Sequence, residues 1–332
     1  MTGGAGGKSA DVRIRRLRAR AQLVGEGARA GEPVDVLEQV FAVQAQDAGA
    51  AALGLRARGV REWGQVAAAL EGERSVFRGW FMRGTLHLVP ATDARWLLGL
   101  YGPRNIAANA RRYRELGLDD ALCERAEQLL LKAVVEHGPL TRAELTERLT
   151  RGLGIPAKGQ AAIHLISRAC LAGLICHGPE KGGEQAFVAL GDWLPEAGAV
   201  PGDPVAELAR RYGRAYGPAD AEDFAVWSGL PKSMARAAWE PVAPDPLPGR
   251  READVRLLPM YDGHWLGHRD RNGADGRIRP GGGQIRAAVV ADGAAVGTWS
   301  RPGGTVRIDL FGEAGSVAVE AEQAAVTRFL HP

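Results

Sequence analysis

Long apolar runs are missing from this chain of 332 residues, and its first residues do not show the pattern of a secretory signal. The longest apolar stretches, such as residues 48–55 and 287–290, fall well short of the roughly 20 residues that a bilayer-spanning helix needs. The glycine-rich residues 1–8 lack the apolar core of a secretory signal. We therefore expect a soluble, cytoplasmic protein with no membrane partner.

Cysteine is scarce, with Cys123, Cys170 and Cys176 at irregular spacing. This pattern fits neither a disulfide framework nor a Cys-x-x-Cys metal site. Cys170 and Cys176 with the adjacent His177 form a minor alternative as zinc ligands, but a fourth ligand has no obvious source. We expect neither a metal nor a cofactor.

Lysine is also scarce, supplying five of the 42 basic residues, so that arginine carries nearly all of the positive charge. The planar guanidinium binds phosphate through two parallel hydrogen bonds, which favours a nucleic-acid partner. GC-rich coding raises arginine, alanine and glycine together and accounts for the same composition without any partner. The net charge of +3 does not decide between these explanations.

Three stretches of the chain share one rhythm, in which helical periodicity leads into paired segments rich in glycine and β-forming residues. The first stretch predicts helices over 13–24, 33–43 and 63–70, then strands over 75–81 and 85–89. Gly84 lies between the two strands, where a tight turn needs a positive φ. The pattern is typical of a helix-turn-helix unit followed by a β-hairpin wing.

The second stretch repeats this order. Helical spacing runs from 122 to 134, and Thr141 with Glu144 forms a capping box for the next helix. A third helix is predicted over about 160–172, followed by a wing built from residues 174–177 and 185–190.

In the third stretch, Asp203-Pro204 begins one helix and Asp220 caps another, and Gly229 turns the chain towards a helix at Pro231. Short strands follow residue 255, with turns at Asn272-Gly273, Asp275-Gly276 and Asp292-Gly293, and a closing helix is predicted over 316–330.

The predicted fold class is therefore α+β, with tandem winged-helix units and a β-rich C-terminal part. The boundaries that the patterns favour are 10–118 for the first winged helix, 119–200 for the second, 201–252 for the helices of the third, and 253–332 for the β-rich part.

Familiar catalytic motifs are missing, since the chain holds no Gly-x-Ser-x-Gly, no Walker loop and no His-Glu-x-x-His. What remains is the pair Gln44 and Gln46, separated by one alanine where the second predicted helix ends. Two amides at a helix end are, by themselves, typical of capping or solvated side chains.

The blocks around this pair resemble the AlkZ-like family of DNA glycosylases. The N-terminal hallmark of that family is similar to residues 41–47, 53–58 and 82–89, and its later blocks follow in order at 216–218, 224–231, 258–262, 266–271 and 296–299. The resemblance covers about residues 12–330. It implies three winged-helix units and a β-rich C-terminal part that together form a concave DNA-binding face.

The resemblance also implies a reaction, because the family's catalytic signature is glutamine, one apolar residue, glutamine. Gln44-Ala45-Gln46 carries that signature, whereas the sequence departs from the family at Ala48, where proline is expected, and at His268, where an aromatic residue is expected. The implied activity is hydrolysis of the N-glycosidic bond of cationic alkylated purines in double-stranded DNA, with bulky adducts or crosslinks as substrates. Its implied settings are DNA repair or resistance to the producer's own toxin.

Two neutral amides suffice for this chemistry because an N7-alkylated guanine or N3-alkylated adenine already carries a positive charge and leaves as a neutral base. The enzyme then needs chiefly to hold a water at the anomeric carbon. We assign that water to Gln44, with Gln46 positioning the water or the sugar, although the two roles are interchangeable on sequence grounds.

A basic hairpin is expected to contact DNA, formed by His268, Arg269, Arg271, Arg277 and Arg279. A solvent-exposed hairpin that uses arginine for solubility explains the same residues. Arg83 at the first wing and the nearby His87 are secondary candidates for DNA binding, and His87 is equally interpretable as a core histidine.

The main alternative function is a non-enzymatic winged-helix DNA-binding regulator, which would leave the two glutamines without a role. A scaffold that uses winged helices for protein contacts is a third interpretation. The sequence shows no heptad and no apolar surface helix, so we expect a monomer located in the cytoplasm with the nucleoid.

Overall fold

The computed structural model describes residues 4–25, 31–194, 200–247, 254–270, 273–312 and 318–330, with side chains described from residue 10 onwards. It is a mixed helical and sheet structure, as the sequence predicts. The helices are α1 (Gly4–Ala21), α2 (Pro33–Val40), α3 (Ala48–Ala57), α4 (Trp63–Ala67), α5 (Ala94–Ala108), α6 (Ala110–Glu115), α7 (Asp120–His137), α8 (Arg142–Leu153), α9 (Ala161–Leu171), α10 (Leu190–Trp193), α11 (Pro204–Tyr216), α12 (Ala221–Ser228), α13 (Lys232–Ala238), α14 (Gly263–Leu266) and α15 (Glu320–Leu330).

The strands are short and lie mostly in antiparallel pairs. They are β1 (Val43–Gln44), β2 (Val76–Trp80), β3 (Leu86–Pro90), β4 (Leu140–Thr141), β5 (Ile175–Lys181), β6 (Glu184–Ala189), β7 (Val255–Leu258), β8 (Ala288–Ala291), β9 (Ala294–Ser300) and β10 (Arg307–Leu310). None of the helices within the described ranges is long and apolar enough to cross a membrane.

The chain divides into two compact units. Unit 1 combines residues 1–67 with residues 205–332, and unit 2 is the continuous stretch 68–204 between them. The finer division into three winged helices and a β-rich part stays a prediction.

Unit 2 packs α7, α8 and α9 around a core that includes Leu130, Leu145 and Leu165. The β5–β6 hairpin follows these helices, and the short β4 pairs with β6. Three helices followed by a strand pair is the order of elements in a winged helix. The β2–β3 hairpin lies earlier in the same unit, and its turn holds Gly84 at φ 70° as the sequence predicts.

Unit 1 contains a four-stranded antiparallel sheet with the strand order β10-β9-β8-β7. Asp292 at φ 48° and Gly293 at φ 75° join β8 to β9, which confirms the turn predicted there. Apolar side chains of the sheet, among them Leu258 and Val290, share one core with Trp265 and Ile278.

The predicted helix caps are confirmed where the signal is local. Thr141 and Glu144 form the capping box of α8, and Asp220 with Asp223 forms another at the start of α12. Gly229 ends α12 in the left-handed conformation, at φ 71°.

Several helices depart from the predicted pattern, and α3, which follows the two glutamines, was not predicted at all. The second helix ends at Val40 instead of continuing to residue 43, because Phe41 takes a φ of 68° that no helix can continue through. The helix α5 was not predicted, and it contains Pro103 in its interior. A Cβ atom at Gly102 of α5 would lie 2.2 Å from the Leu171 carbonyl oxygen, so only glycine allows this close approach to α9.

Candidate active site

The two glutamines lie in a loop of unit 1, residues 41–47, which we call the Gln loop. At its start, Phe41 is fully buried, with its ring centre 6.2 Å from that of Trp227. At its end, the Asp47 carboxylate accepts a hydrogen bond of 2.6 Å from the backbone N–H of Ala50 and so caps α3. The loop is therefore fixed at both ends.

The two amides differ in their surroundings. Gln44 is half-buried in β1, whereas Gln46 is exposed. Ala45 between them is fully buried, in keeping with the alternation of side chains along an extended segment. The Oε1 atom of Gln44 is itself buried, and it accepts no hydrogen bond from any residue that the structure describes.

A buried carbonyl oxygen without a donor costs about 1–3 kcal/mol. Gln44 Oε1 is one of fourteen buried side-chain nitrogen and oxygen atoms without a hydrogen-bond partner among the described residues, and most of the others are arginine Nε atoms. Gln44 Oε1 is therefore a hydrogen-bond acceptor that no described residue uses, and it lies in the loop that carries the glutamine signature.

A cavity of about 660 Å³ opens beside the Gln loop, within unit 1. Asp47, the residue after Gln46, lines it, and Gly49, Ala50 and Leu53 of α3 continue the same wall. The Cα atoms of Gln46 and Asp47 are separated by one peptide, about 3.8 Å. The cavity therefore adjoins the end of the Gln loop at Asp47, while Gln44 and Gln46 themselves are not among its lining residues.

Aromatic and sulfur-containing side chains form a large part of the remaining apolar lining, from Trp63, Met260 and Trp299. Trp299 is buried and donates a hydrogen bond of 2.7 Å from Nε1 to the Leu258 carbonyl oxygen. Trp63 packs edge-on against the buried ring of Phe329, at 5.6 Å between ring centres. Both tryptophans are therefore held in place by the fold.

Three exposed arginines also line the cavity, Arg286, Arg301 and Arg307. Across the described parts of the chain, the guanidinium groups of these three make no ion pair. Their charges are available to an anionic ligand.

The far end of α3 carries a buried polar network. Arg58 donates two hydrogen bonds of 2.8 Å to the Asp262 carboxylate and one of 3.0 Å to Gln22 Oε1. Asp262 also accepts a 2.9 Å hydrogen bond from the backbone N–H of His264. Burial acts to raise the pKa of Asp262, but the Arg58 charge and hydrogen bonds outweigh it and lower the pKa below its ordinary value.

The network reaches two further segments of unit 1. Gln22 donates a 2.8 Å hydrogen bond to the Ala215 carbonyl oxygen, and the His264 ring contacts the Gly293 carbonyl oxygen through Nε2 at 3.1 Å. Burial lowers the pKa of His264 to about 4, so this imidazole is neutral near pH 7.

The predicted DNA-binding hairpin is corrected by the structure. In the described parts of the segment, residues 268–270 and 273–279, no strand forms, and Gly276–Ile278 is a 3-10 turn that Asp275 caps. The sequence prediction followed the glycine and arginine pattern, but that pattern also fits a capped turn. Arg271 lies outside the described residues.

The remaining side chains of this segment differ in their burial and in their partners. His268 is buried, its Nε2 lies 2.7 Å from the Tyr216 carbonyl oxygen, and burial lowers its pKa to about 3. It is a core residue here, which corrects the expectation of a surface contact. Arg269 is paired with Asp220, Arg277 is paired with Asp275 through two 2.8 Å hydrogen bonds, and Arg279 is half-buried.

The two secondary DNA-binding candidates, Arg83 and His87, lie in unit 2 and differ in their exposure to solvent. Arg83 is exposed and takes a φ of 56° in the β2–β3 turn. His87 is buried, and burial together with the Arg83 charge lowers its pKa to about 3. His87 thus occupies the core, which was the second of its two interpretations.

Sequence reasoning missed the cavity. Its lining comes from segments far apart in the chain, such as Trp63, Met260 and Arg307, and no spacing rule connects them. The available signal was weak, since Met260 and Trp299 fall inside blocks that resemble the glycosylase family but have no recognised chemistry.

Comparisons with known proteins agree with this description. The family model described as DNA glycosylase AlkZ-like matches residues 37–329. An interstrand DNA cross-link repair glycosylase of Streptomyces sahachiroi is 27% identical over 218 residues, or 59% of this chain and 54% of the relative, so the match spans about half the length of that protein. The solved structure of Streptomyces sahachiroi DNA glycosylase AlkZ superposes with a TM-score of 0.73 at 21% identity, covering 96% of this chain and 95% of that one, which establishes the fold.

Proposed function

Because the chain belongs to the AlkZ-like family of DNA glycosylases, we propose that it hydrolyses the N-glycosidic bond of cationic alkylated purines in double-stranded DNA. The substrates would be N7-alkylguanine and N3-alkyladenine, including bulky adducts. Interstrand crosslinks are included because the Streptomyces sahachiroi relative is described as a cross-link repair glycosylase. Repair or self-resistance would then be the cellular setting.

The observation that carries this proposal is the unused acceptor at Gln44 Oε1. A water that donates a hydrogen bond to this atom would be oriented with a lone pair towards the anomeric carbon. As the carbon–nitrogen bond breaks, its electron pair returns to the purine, which leaves neutral. The water oxygen bonds to the anomeric carbon, and its proton passes to solvent, giving the free base and an abasic site.

Gln46 takes the complementary role in the proposal. It is exposed and precedes Asp47, which lines the cavity, and its amide would donate a hydrogen bond to a sugar or phosphate oxygen of the bound strand. Neutral amides avoid the cost of burying a charge. They supply no acid to protonate a neutral base, so uracil and 8-oxoguanine are outside the proposed substrate class.

The partner in this proposal is duplex DNA, bound by a monomer in the cytoplasm near the nucleoid. The exposed Arg83 and Arg269 remain proposed phosphate contacts. For Arg269 this requires exchange of its Asp220 pair for a phosphate.

The test uses duplex DNA that contains a single N7-methylguanine, with abasic sites measured in single-turnover reactions. Gln44→Met replaces the amide with an apolar side chain of similar length. We expect excision to fall by about 100-fold or more while the free energy of unfolding stays equal or rises by about 1–3 kcal/mol, since the unpaired oxygen is removed. Gln46→Met serves as the matched variant at an exposed position of the same loop, and we expect it to reduce excision as well.

Equal excision by the wild-type protein and Gln44→Met would refute the catalytic role. Absence of excision by the wild-type protein on every cationic adduct, together with tight duplex binding, would favour the regulator instead.

A further inference from the structure

The cavity beside the Gln loop exposes unusually large apolar side chains. Trp63 is 37% exposed and Met260 is 48% exposed. Among the described residues, the other large hydrophobic side chains that are exposed to a similar degree are all valines. Both exceptions line the same cavity. Clustered exposed apolar surface marks a binding site, whereas scattered single residues do not.

The walls of the cavity are formed before any ligand arrives. The buried rings of Trp299 and Phe329 support the floor and Trp63, through the Leu258 hydrogen bond and the edge-on contact described above. A volume of about 660 Å³ lies inside the range of about 300–1,000 Å³ typical of small-molecule sites. A methyl group would leave nearly all of it unfilled.

The cavity is lined by more cationic than anionic side chains, because its three arginines outnumber its two carboxylates, Asp47 and Asp309. Arg286, Arg301 and Arg307 line the same space as the two exposed apolar residues. The described residues supply no ion-pair partner to these guanidinium groups, in contrast to Arg277, which is held by Asp275. Backbone phosphates on either side of a lesion are the anions that such groups would bind.

We propose that this cavity binds the apolar, ring-containing body of a bulky purine adduct while its arginines hold the neighbouring phosphates. The inference rests on the proposed glycosylase function and deepens it. Trp63 and Met260 are then specificity-determining residues, which contact the part of the adduct that takes no part in bond cleavage. The Gln loop, whose last residue Asp47 lines the cavity, acts on the glycosidic bond.

This arrangement predicts that the protein discriminates between substrates. Binding energy from the adduct body is available only to a substrate that has one, so the cavity should favour bulky adducts over methylated bases. Trp63→Ala removes the largest exposed ring of the cavity. We expect its kcat/KM on a polycyclic adduct to fall by about 10-fold to 100-fold, mostly through KM.

The experiment compares two duplexes of one sequence, the first with N7-methylguanine and the second with N7-(anthracen-9-ylmethyl)guanine. Trp63→Ala and Met260→Ala should lose activity on the anthracenyl adduct and stay within about twofold of wild type on the methyl adduct. Trp63→Phe should restore much of the lost activity. Val226→Ala trims an exposed apolar residue that does not line the cavity and should change neither rate.

Each outcome has one meaning. Equal losses on both duplexes would overturn the inference, because the cavity would then hold DNA common to both. Unchanged activity of Trp63→Ala and Met260→Ala on the anthracenyl adduct would also overturn it. Should Trp63→Ala fail to fold, Met260→Ala and Trp63→Phe still decide the question. A wild-type protein that excises neither base refutes the proposed function itself, whereas one that excises only the methyl adduct refutes the cavity inference alone.

Discussion

The two ends of α3 use polar groups in opposite ways. At its C-terminal end, Arg58 and Asp262 are buried and bonded to each other, to Gln22 and to the backbone. Its N-terminal end adjoins Gln44, whose buried oxygen has no donor among the described residues, and the open cavity beyond Asp47. One end of a ten-residue helix is a closed network, and the other is left available to a ligand.

This difference indicates a division of tasks along one helix. A buried ion pair costs desolvation energy, so its worth lies in fixing a structure more than in adding stability. The Arg58 network fixes where α3 lies in unit 1, and α3 in turn carries the capped end of the Gln loop. Gly54 of the same helix lies between the two systems, because a Cβ atom added there would lie 3.3 Å from Val43 and 3.6 Å from Asp262.

The strongest test of the comparison removes one partner of the buried pair. Arg58→Ala leaves the Asp262 carboxylate buried without its cation, so we expect the free energy of unfolding to fall by about 3–5 kcal/mol in urea titrations. Arg61→Ala, which trims an exposed arginine just beyond the helix, should change it by less than about 0.5 kcal/mol. Comparable values for the two variants would mean that the network does not fix the helix.

A change of pH should affect the free energy of unfolding, to which the buried histidines contribute, but not the activity of the two glutamines. The pKa of buried His264 is lowered to about 4, and those of His87, His177 and His268 to about 3. Between these values and the ordinary value of 6.5, the unfolded chain binds more protons than the folded one, so stability falls as the pH is lowered through this window. Each histidine contributes up to about 1.4 kcal/mol per pH unit.

Amides do not titrate, so excision of N7-methylguanine should stay level from about pH 6.5 to 9. Calorimetric melting temperatures measured across pH would show the fall in stability at low pH. Single-turnover rates over the same series would show whether excision stays level. His264→Gln should flatten the stability slope by up to one proton. A rate that followed a single ionisation within that interval would contradict catalysis by the two glutamines.

The smallest expected effect concerns the cap at Asp47. Asp47→Ala removes the acceptor of the Ala50 N–H and should cost about 1 kcal/mol of stability, with a drop in excision because the Gln loop loses its fixed end. Asp119→Ala removes the equivalent cap of α7 in unit 2, where Leu122 N–H donates at 2.7 Å. It should cost a similar amount of stability and leave excision unchanged. Equal excision by both variants would show that the cap does not position the loop.

The sequence predicted best what is decided within a few residues. The capping box at Thr141, the N-cap at Asp220 and the turn at Asp292-Gly293 were correct, because each depends on side chains next to the backbone groups that they satisfy. The end of α2 was misplaced, since Val40 and Phe41 continue an apolar helical pattern while tertiary packing against Trp227 accompanies a positive φ at Phe41.

The candidate site was only half predictable. Gln44 and Gln46 were identified through a family resemblance, and their roles stay a prediction. The cavity depends on Trp63, Met260 and three arginines that come together only in the folded chain. In the segment after His268, the sequence suggested more DNA contacts than the structure leaves available. Counting arginines does not reveal which of them pair with a carboxylate, as Arg277 does with Asp275.

The discontinuity of unit 1 has a consequence for how the protein is made. A ribosome releases the Gln loop long before residues 259–309, and Arg58 must wait for Asp262, which follows 204 positions later. Unit 2 is continuous and is synthesised in between, so it is able to fold while the first 67 residues are still without their partners. A chain that lacks residues 259–309 therefore holds the two glutamines but not the cavity beside them, and the proposed activity would arise only after that segment has been made.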